Sequence, residues 1–302
     1  MLLKPVTFFG GKGGVGKTTL AAAAAWKAAQ RYSTLLVSTD PAHNLGHLWD
    51  VSLNDAPKAV ADRLDVVEID PGEVTEKHLT EVRSTMHKMM PERLHSQVNR
   101  HLDLARQSPG THESALLERM ADLVDTNYER IIFDTAPSGH TARLVELPEI
   151  MQAWTDGLLE RRDRSDRFSS LVRGLGGEAG SDQVDKRNQE IRSILWRRRE
   201  RFVRLRETLQ QDSEFYLVLT PERLPVLETT EFYHQLQDSG MTVGGVIVNR
   251  RSPQGQGSFM EARRRVEDAA LSGLELPVPT VEVPLLPADV GPEQLGFIAE
   301  LL

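Results

Sequence analysis

A glycine-rich stretch near the start of the chain constrains the fold more than any other feature. It reads Gly10-Gly11-Lys12-Gly13-Gly14-Val15-Gly16-Lys17-Thr18-Thr19. Residues 5–9 before it are apolar and β-prone, and residues 19–31 after it are rich in alanine. The spacing G-x-x-x-x-G-K-T between a strand and a helix is typical of a loop that wraps a phosphate group. The chain should therefore begin with a strand, this loop and a helix.

The loop predicts a nucleoside triphosphate site. Glycines let backbone N–H groups turn toward an anion, and the start of the following helix adds the positive end of its dipole. We expect Lys17 to reach the β- and γ-phosphates and Thr18 to place its hydroxyl on Mg²⁺. A glycine-rich turn before an ordinary helix is the alternative, which the complete spacing disfavours. The predicted binding residues are Gly11, Lys12, Gly13, Gly14, Val15, Gly16, Lys17, Thr18 and Thr19.

Composition narrows the class of protein further. The 302 residues are 39% hydrophobic and 26% charged, which is typical of a globular chain with a substantial core. The net charge of −8 argues against a nucleic-acid partner, and the absence of cysteine excludes disulfides and thiolate metal sites. No apolar run approaches the about 20 residues that a membrane span needs. Because residue 1 leads directly into the first strand, we expect no signal peptide and a cytoplasmic protein.

Strands and helices alternate along much of the chain. Strands are predicted at 5–9, 34–38, 64–69, 131–134, 215–219, 243–248 and 279–283. Helices are predicted at 19–31, 73–107 with a break at Pro91, 113–126, 188–211, 224–239 and 259–271. This order indicates the α/β class, with a mostly parallel sheet flanked by helices. We predict a single domain over residues 1–302, in which 73–110 and 151–212 are helical insertions that form a second, smaller subdomain.

Two aspartates follow predicted strands, where ligands of parallel sheets bind. Asp134 ends the apolar run 131–133 and is placed to hold Mg²⁺ through water, although an aspartate that merely makes a turn is the alternative. Asp40 ends the second strand, close to the expected γ-phosphate and Mg²⁺. A carboxylate there can orient the attacking water, since phosphoryl transfer depends mainly on positioning and charge stabilisation.

Three motifs together carry a family resemblance. Lys12 inside the glycine loop resembles the second lysine in the deviant loop of the MinD, ParA and ArsA class. The segments Ser38-Thr39-Asp40-Pro41-Ala42-His43-Asn44-Leu45 and 134–144 resemble the two switch segments of the ArsA family, which includes arsenite-pump ATPases and the ATPase that targets tail-anchored membrane proteins. The segments 246–250 and 284–287 also match in late positions. The resemblance covers about two-thirds of the chain, whereas 73–110 and 151–212 match only by position.

The resemblance implies a P-loop NTPase fold and an ATP- and Mg²⁺-dependent ATPase that works as a homodimer. Lys12 would reach the partner's γ-phosphate, and Lys17 would serve its own nucleotide. Asp40 would position water, so the implied catalytic residues are Asp40, Lys12 and Lys17. Asn249 would read the adenine edge, with Pro284 and Leu285 beside the nucleotide. Residues 135–143 would form the second switch, which couples the γ-phosphate to dimer closure.

The chain departs from this family in its cysteines. Targeting ATPases usually join their subunits through a zinc held by Cys-x-x-Cys pairs, and arsenite pumps bind their metalloid through cysteines. This chain has neither feature, so we expect no zinc and no arsenite binding.

The helical segments are the candidate site for a hydrophobic or membrane-protein client. Methionines suit promiscuous apolar surfaces, and apolar residues recur at helical spacing in both segments. The candidate groove residues are Met86, Met89, Met90, Trp154, Leu158, Phe168 and Leu171. The same residues could equally form the core of the subdomain. Their polar surroundings disfavour a groove for a whole transmembrane helix.

Other functions stay open at this point. A positioning or membrane-associated switch of the ParA and MinD type is the main alternative, with transient membrane contact through the arginine-rich helix 188–211. Those arginines are more simply a solvated face, partly paired with Glu200 and Glu207. A nucleotide-dependent kinase or ligase would need a small-substrate pocket, which the sequence does not identify.

Overall fold

A computed structural model describes residues 3–40, 45–106, 110–135, 147–153, 155–157, 159–161, 163–164 and 181–302. Eight strands in these ranges form one sheet. They are β1 Val6–Gly11, β2 Thr34–Ser38, β3 Lys58–Ala61, β4 Leu64–Glu68, β5 Arg130–Asp134, β6 Ser213–Leu219, β7 Val243–Arg251 and β8 Thr280–Pro284. Their order across the sheet is β3-β4-β2-β5-β1-β6-β7-β8. Every neighbouring pair is parallel except β3 with β4, which confirms the predicted α/β sheet.

Helices connect most of these strands. They are α1 Lys17–Ala29, α2 Pro71–Met89, α3 His95–Ala105, α4 Thr111–Val124, α5 Ser181–Glu207, α6 Arg223–Asp238, α7 Ser258–Leu271 and α8 Pro292–Leu301. Residues 147–153 are also helical, and short turns of helix occupy Gly46–Leu48, Glu92–Leu94 and Thr208–Asp212. In the described ranges, no helix combines the length and the apolar character that crossing a membrane requires.

The centre of the sheet is built from aromatic and very small side chains. Phe8 pairs in register with Phe133 on β5 and Phe215 on β6, and the rings stack with centroids 4.9 and 4.7 Å apart. Residues 21–25 of α1 are all alanine and all buried. Because alanine has the highest helix propensity and the smallest apolar side chain, α1 can pack closely against β1, β2 and β5. This packing fixes the helix that begins at the glycine loop.

The chain divides into two compact units. One contains residues 1–71, 124–145 and 208–302 and holds the sheet, and the other contains residues 72–123 and 146–207 and is helical. The helical unit includes almost all of α4, which the sequence prediction placed outside the two insertions. Within it, Leu79, Val98 and Leu102 form a small buried cluster between α2 and α3. That the helical segments form a client-binding subdomain stays a prediction.

The arginines of α5 are paired differently from the prediction. Instead of Glu200 and Glu207 on the same helix, four arginines pair with carboxylates elsewhere in the helical unit. The pairs are Arg198–Glu118, Arg199–Asp156, Arg201–Asp122 and Arg206–Glu149. The pairing predicted with Glu200 and Glu207 was therefore wrong for these four, because their actual partners come together only when the helices pack.

Two elements were missed by the sequence prediction. Strand β3 is mostly exposed and lacks the apolar alternation that marks a strand, since only the edge of β4 holds it. Helix α8 begins at Pro292 and contains Gly296, residues that usually indicate a turn. Its buried side chains, Leu295 and Ile298, pack in the same cluster as α1.

Candidate functional site

Strand register brings the predicted site residues to one edge of the sheet. Asp134 ends β5 and lies opposite Phe9 on β1 and Ser38 on β2. The glycine loop follows β1 directly, and Asp40 follows β2. Because all three strands are parallel, their carboxyl ends open at the same level, and the loops after them converge on one place.

The glycine loop contains positions that only glycine fits well. Gly14 and Gly16 have φ angles of 80° and 96°, in the left-handed region that other residues rarely adopt. A side chain on Gly11 would collide with the carbonyl oxygen of Val218, and one on Gly16 would collide with the amide of Asn249. Gly16 is also the N-cap of α1 and provides no side-chain cap. The first N–H groups of α1 are therefore available to an anion.

Lys17 is held under the loop. Its side chain is buried, and its Nζ donates to the carbonyl oxygen of Lys12 at 3.1 Å. Burial lowers the pKa of Lys17, and the negative charges of Asp134 and Asp40 oppose that shift. No other described residue accepts a hydrogen bond from this ammonium, which has three N–H donors. The remaining donors can bind a phosphate.

Asp134 is fully buried and incompletely satisfied. Thr18 Oγ1 donates to its Oδ2 at 2.7 Å, and Ser38 Oγ donates to the same oxygen at 3.3 Å. Its Oδ1 is buried without a hydrogen-bond partner in the described part of the chain. Burial raises the pKa of Asp134 to about 6, against the opposing effects of Thr18 and Lys17. A buried carboxylate beside a threonine hydroxyl is a donor set that suits hydrated Mg²⁺, which keeps several waters of its own.

The described residues contain no group of three or more His, Cys, Asp or Glu side chains that could hold a metal ion. A site built on Thr18 and one aspartate would not form such a group, so this observation does not bear on the magnesium prediction.

Asp40 lies at the rim of this edge. Its backbone N–H donates to Ser38 Oγ at 3.3 Å, and its charge acts on the pKa of both Lys17 and Asp134. Asp40 is therefore close to both groups. The rest of the first switch, residues 41–44, and the second switch beyond Thr135 lie outside the described residues. Their predicted roles stay predictions.

Asn249 reaches the glycine loop from β7. Its Nδ2 donates to the carbonyl oxygen of Val15 at 2.8 Å, and its Oδ1 accepts from the backbone N–H of Arg250 at 2.9 Å. Pro284 ends β8, and the backbone N–H of Leu285 donates to the carbonyl oxygen of Arg251 at 2.9 Å. The structure thus places Asn249, Pro284 and Leu285 at neighbouring strand ends, with Asn249 in contact with the loop.

A buried ion-pair network holds the end of β7, and the sequence analysis missed it. The Arg251 guanidinium is buried and pairs with Glu267 at 2.8 Å, with Asp268, and with Glu282 at 3.3 Å. Glu267 also accepts from Ser252 Oγ at 2.6 Å and from its N–H at 3.1 Å. Desolvation would raise the pKa of Glu267, but these hydrogen bonds outweigh it and lower that pKa. The arginine of this network lies two residues after the predicted Asn249, and that proximity was the available signal.

Lys12 points away from its own loop. Its Nζ forms an ion pair with Glu228 on α6 at 2.9 Å, and both side chains are more than one-third exposed. Pairs of this exposure contribute little to stability. The ammonium of Lys12 is therefore at the surface and easily released to another partner.

Only part of the predicted client surface can be located. Met86 and Met90 are exposed, at 38% and 39%. The side chain of Met89, together with Trp154, Leu158, Phe168 and Leu171, lies outside the described residues. Three further large apolar side chains of the helical unit are exposed: Leu104, Ile150 and Trp196.

The parallel sheet, the glycine loop at the start of α1 and the aspartate at the end of β5 define a P-loop NTPase. Comparison with known proteins identifies the family. A family model described as anion-transporting ATPase matches residues 4–302, so the chain belongs to that family and is an ATPase.

Relatives of the chain match over most of its length. An Aquifex aeolicus protein provisionally named arsenical pump-driving ATPase 2 is 31% identical over 98% of each chain. ATPase GET3B of Arabidopsis thaliana is 30% identical over 97% of this chain and 77% of its own. ATPase ASNA1 homolog 2 of Paramecium tetraurelia is 29% identical over 86% of this chain and 80% of its own. These relatives confirm the resemblance to the ArsA family.

Proposed function

We propose that this protein is a Mg²⁺-dependent ATPase in which ATP binding and hydrolysis close and open a homodimer, and that this cycle controls the binding of a hydrophobic or membrane-protein client. The observation that carries the proposal is the arrangement of Lys17, Thr18 and Asp134 under the glycine loop. There, among the described residues, a buried ammonium with one hydrogen-bond acceptor lies beside a buried carboxylate oxygen without a partner. Because ATP is supplied in the cytoplasm, the proposal also places the protein there.

Each residue of the site has a defined task in this proposal. The backbone of Gly11–Thr19 and the Lys17 ammonium bind the phosphates and stabilise the charge that develops on them. Thr18 would hold Mg²⁺ directly and Asp134 would hold it through water, and the ion would neutralise charge on the phosphates. Asp40 orients the attacking water. Asn249, Pro284 and Leu285 line the base site.

Lys12 would complete the site of the partner subunit. Its ammonium is exposed and paired only weakly, with Glu228, so that a neighbouring phosphate can compete for it. Residues 135–143 would order on the γ-phosphate and transmit closure. The dimer would rest on packing and nucleotide alone, because the chain has no cysteine to hold a zinc.

The client role is supported by the relatives and by the helical unit. Two of the relatives are named as GET3 and ASNA1 ATPases. The targeting ATPases that this sequence resembles belong to the same group. Large apolar side chains exposed on one unit, Met86 and Met90 among them, are typical of an interaction surface. Residues 73–110 and 151–212 would form that surface, and any contact with a membrane would be transient.

Hydrolysis is tested at Asp40. We expect Asp40→Asn to bind ATP with nearly normal affinity and to lower kcat about 100-fold or more, because the carboxylate acts on the attacking water rather than on the ground state. Asp62→Asn removes an exposed carboxylate from the β3–β4 turn and serves as the control. Normal turnover by Asp40→Asn would eliminate the assigned role.

The shared site is tested by mixing two inactive proteins, Lys12→Ala and Asp40→Asn. In a mixed dimer, the subunit with Lys12→Ala keeps its own Asp40 and receives Lys12 from its partner, so one of the two sites is complete. Random pairing of equal amounts should recover about one quarter of wild-type activity. If the mixture stays as inactive as its components at every ratio, Lys12 does not act across the interface.

The client is sought with the ATP-locked Asp40→Asn protein. We expect a membrane protein or another chain with an exposed apolar segment to co-purify with it and to be identified by mass spectrometry. Replacing Met86 and Met90 by serine in the same background should reduce the amount recovered. Equal recovery from both proteins would show that these methionines do not contact the client.

A further inference from the structure

The side chain of Asn249 joins the end of β7 to the glycine loop. Its Nδ2 donates to the carbonyl oxygen of Val15 at 2.8 Å, a contact between residues 234 positions apart in the chain. Val15 is 2% exposed and Asn249 is 9% exposed, so this hydrogen bond is shielded from water. The next residue, Gly16, has a φ of 96°, and any side chain there would collide with the same amide group.

The orientation of the amide is fixed by two backbone partners. A carbonyl oxygen must receive an N–H, and the backbone N–H of Arg250 needs an acceptor, so Nδ2 faces Val15 and Oδ1 faces Arg250. Each end of an asparagine amide has capacity for a second hydrogen bond. In the described part of the chain each end of this amide has one partner, so one N–H and one lone pair of Asn249 can bind a base.

The backbone that carries Asn249 is itself held rigidly. Arg250 has a φ of 57°, an uncommon conformation for a residue with a side chain. The Arg251 guanidinium, buried among Glu267, Asp268 and Glu282, anchors the chain immediately afterwards. Strand β7 therefore presents Asn249 from a fixed position, whereas four of the six residues from Gly11 to Gly16 are glycines and Val15 is the one that packs in the core cluster.

We propose that Asn249 is a positioning residue for the phosphate site, and that its hydrogen bond to Val15 holds the glycine loop in its phosphate-binding conformation before any nucleotide arrives. The same amide would then link recognition of the base to the shape of the phosphate cradle. The expected effect on nucleotide binding rests on the proposed nucleotide site. The expected effect on the glycine loop without nucleotide does not rest on it.

The first experiment measures hydrogen exchange of the loop without nucleotide. Asn249→Asp keeps the acceptor for Arg250 and removes only the donor to Val15, so an oxygen faces the buried carbonyl. We expect the backbone amides of residues 10–20 to exchange about tenfold faster than in the wild type, since a buried hydrogen bond is lost. Asn249→Ala, which adds no charge, should show the same direction of change. Exchange at wild-type rates in both variants would overturn the proposal.

A matched control separates this contact from the change of charge. Asn54 is exposed, and its Oδ1 accepts from the backbone N–H of Ala56 at 2.9 Å. Asn54→Asp therefore introduces the same negative charge and keeps its local hydrogen bond, and we expect no change in the exchange of residues 10–20. If it accelerates exchange as much as Asn249→Asp does, the effect is one of charge and the proposal fails.

The second experiment compares the binding of ATP and of inorganic tripolyphosphate, which has no base, by calorimetry. If Asn249 positions the loop, Asn249→Ala weakens tripolyphosphate binding by a factor of about ten and ATP binding by at least that factor, because ATP also loses its contact with the base. If only ATP binding falls, Asn249 reads the base and does not position the loop, and the proposal is overturned. If the wild type binds neither ligand, the proposed nucleotide site is wrong, while the exchange experiment still decides the role of Asn249.

Discussion

Replacing Asp134 by asparagine should stabilise the nucleotide-free protein and abolish hydrolysis. The carboxylate is fully buried, and its pKa of about 6 lies above the ordinary value of 3.8. Asparagine has the same shape, and its oxygen can still accept from Thr18 and Ser38, so the substitution mainly removes a buried charge. The result would identify Asp134 as a residue kept for function at the expense of stability.

The magnitude follows from the difference between the folded and unfolded pKa. A carboxyl whose folded pKa is raised binds its proton more tightly in the folded state, so its ionisation destabilises the fold. A difference of about two pH units corresponds to about 3 kcal/mol when the pH is well above 6. The penalty is fully present above pH 6 and is lost as the pH falls toward 3.8. At pH 5 about half of the penalty should remain.

The assay is urea unfolding of both proteins without nucleotide, at pH 7.5 and at pH 5, in the presence of a chelator. Asp134→Asn should be more stable than the wild type at pH 7.5, and the gap should narrow by about half at pH 5. Addition of Mg²⁺ and ATP should favour the wild type. An asparagine variant that is less stable at pH 7.5, or a gap independent of pH, would refute this account of the buried carboxylate.

Two further predictions use matched controls. Glu267→Gln removes the buried carboxylate that pairs with Arg251 and leaves the guanidinium with two exposed partners, Asp268 and Glu282. It should lower the free energy of unfolding by about 3 kcal/mol in urea, whereas Glu261→Gln at an exposed position of the same helix should change it by less than about 0.5 kcal/mol. Equal effects would contradict the importance of the buried network. Gly16→Ala should weaken ATP binding by about 100-fold in calorimetry. The alanine would have to adopt a positive φ, and its side chain would collide with the Asn249 amide beside the glycine loop. Gly110→Ala has a similar φ of 93° but open space around it, so it should leave ATP binding unchanged.

The sheet could be predicted from sequence wherever a strand is buried on both faces. The strand Thr34–Ser38 was predicted with its observed bounds, and the glycine loop fixed the place of β1 and α1. Buried parallel strands are continuous apolar runs, which a sequence displays directly. The exposed edge strand β3 has no such run, so its position depends on β4 alone.

The residues of the candidate site fall into the same two classes, those that a local sequence pattern marks and those that it does not. Residues that belong to a local motif, such as Lys17 and Thr18, could be placed from spacing. Residues that act through distant partners could not, because nothing in the sequence indicates that Arg251 will meet Glu267 or that the Asn249 amide will meet Val15. Such pairs are decided by strand order and by where each strand ends.

The distribution of strain in the sheet unit suggests why those distant contacts exist. The phosphate site contains a glycine loop with three positive φ angles, a buried lysine, and a buried aspartate with one oxygen that no described residue hydrogen-bonds. None of these features favours folding by itself. The surrounding structure must hold them in place until the nucleotide binds. Packing of the alanine face of α1 fixes the loop at one end, and Asn249 contacts its middle. Because β7 is anchored by a buried ion-pair network rather than by apolar packing alone, the position of Asn249 is set by directional contacts. Directional contacts of this kind can hold the glycine loop in its phosphate-binding conformation before the nucleotide binds.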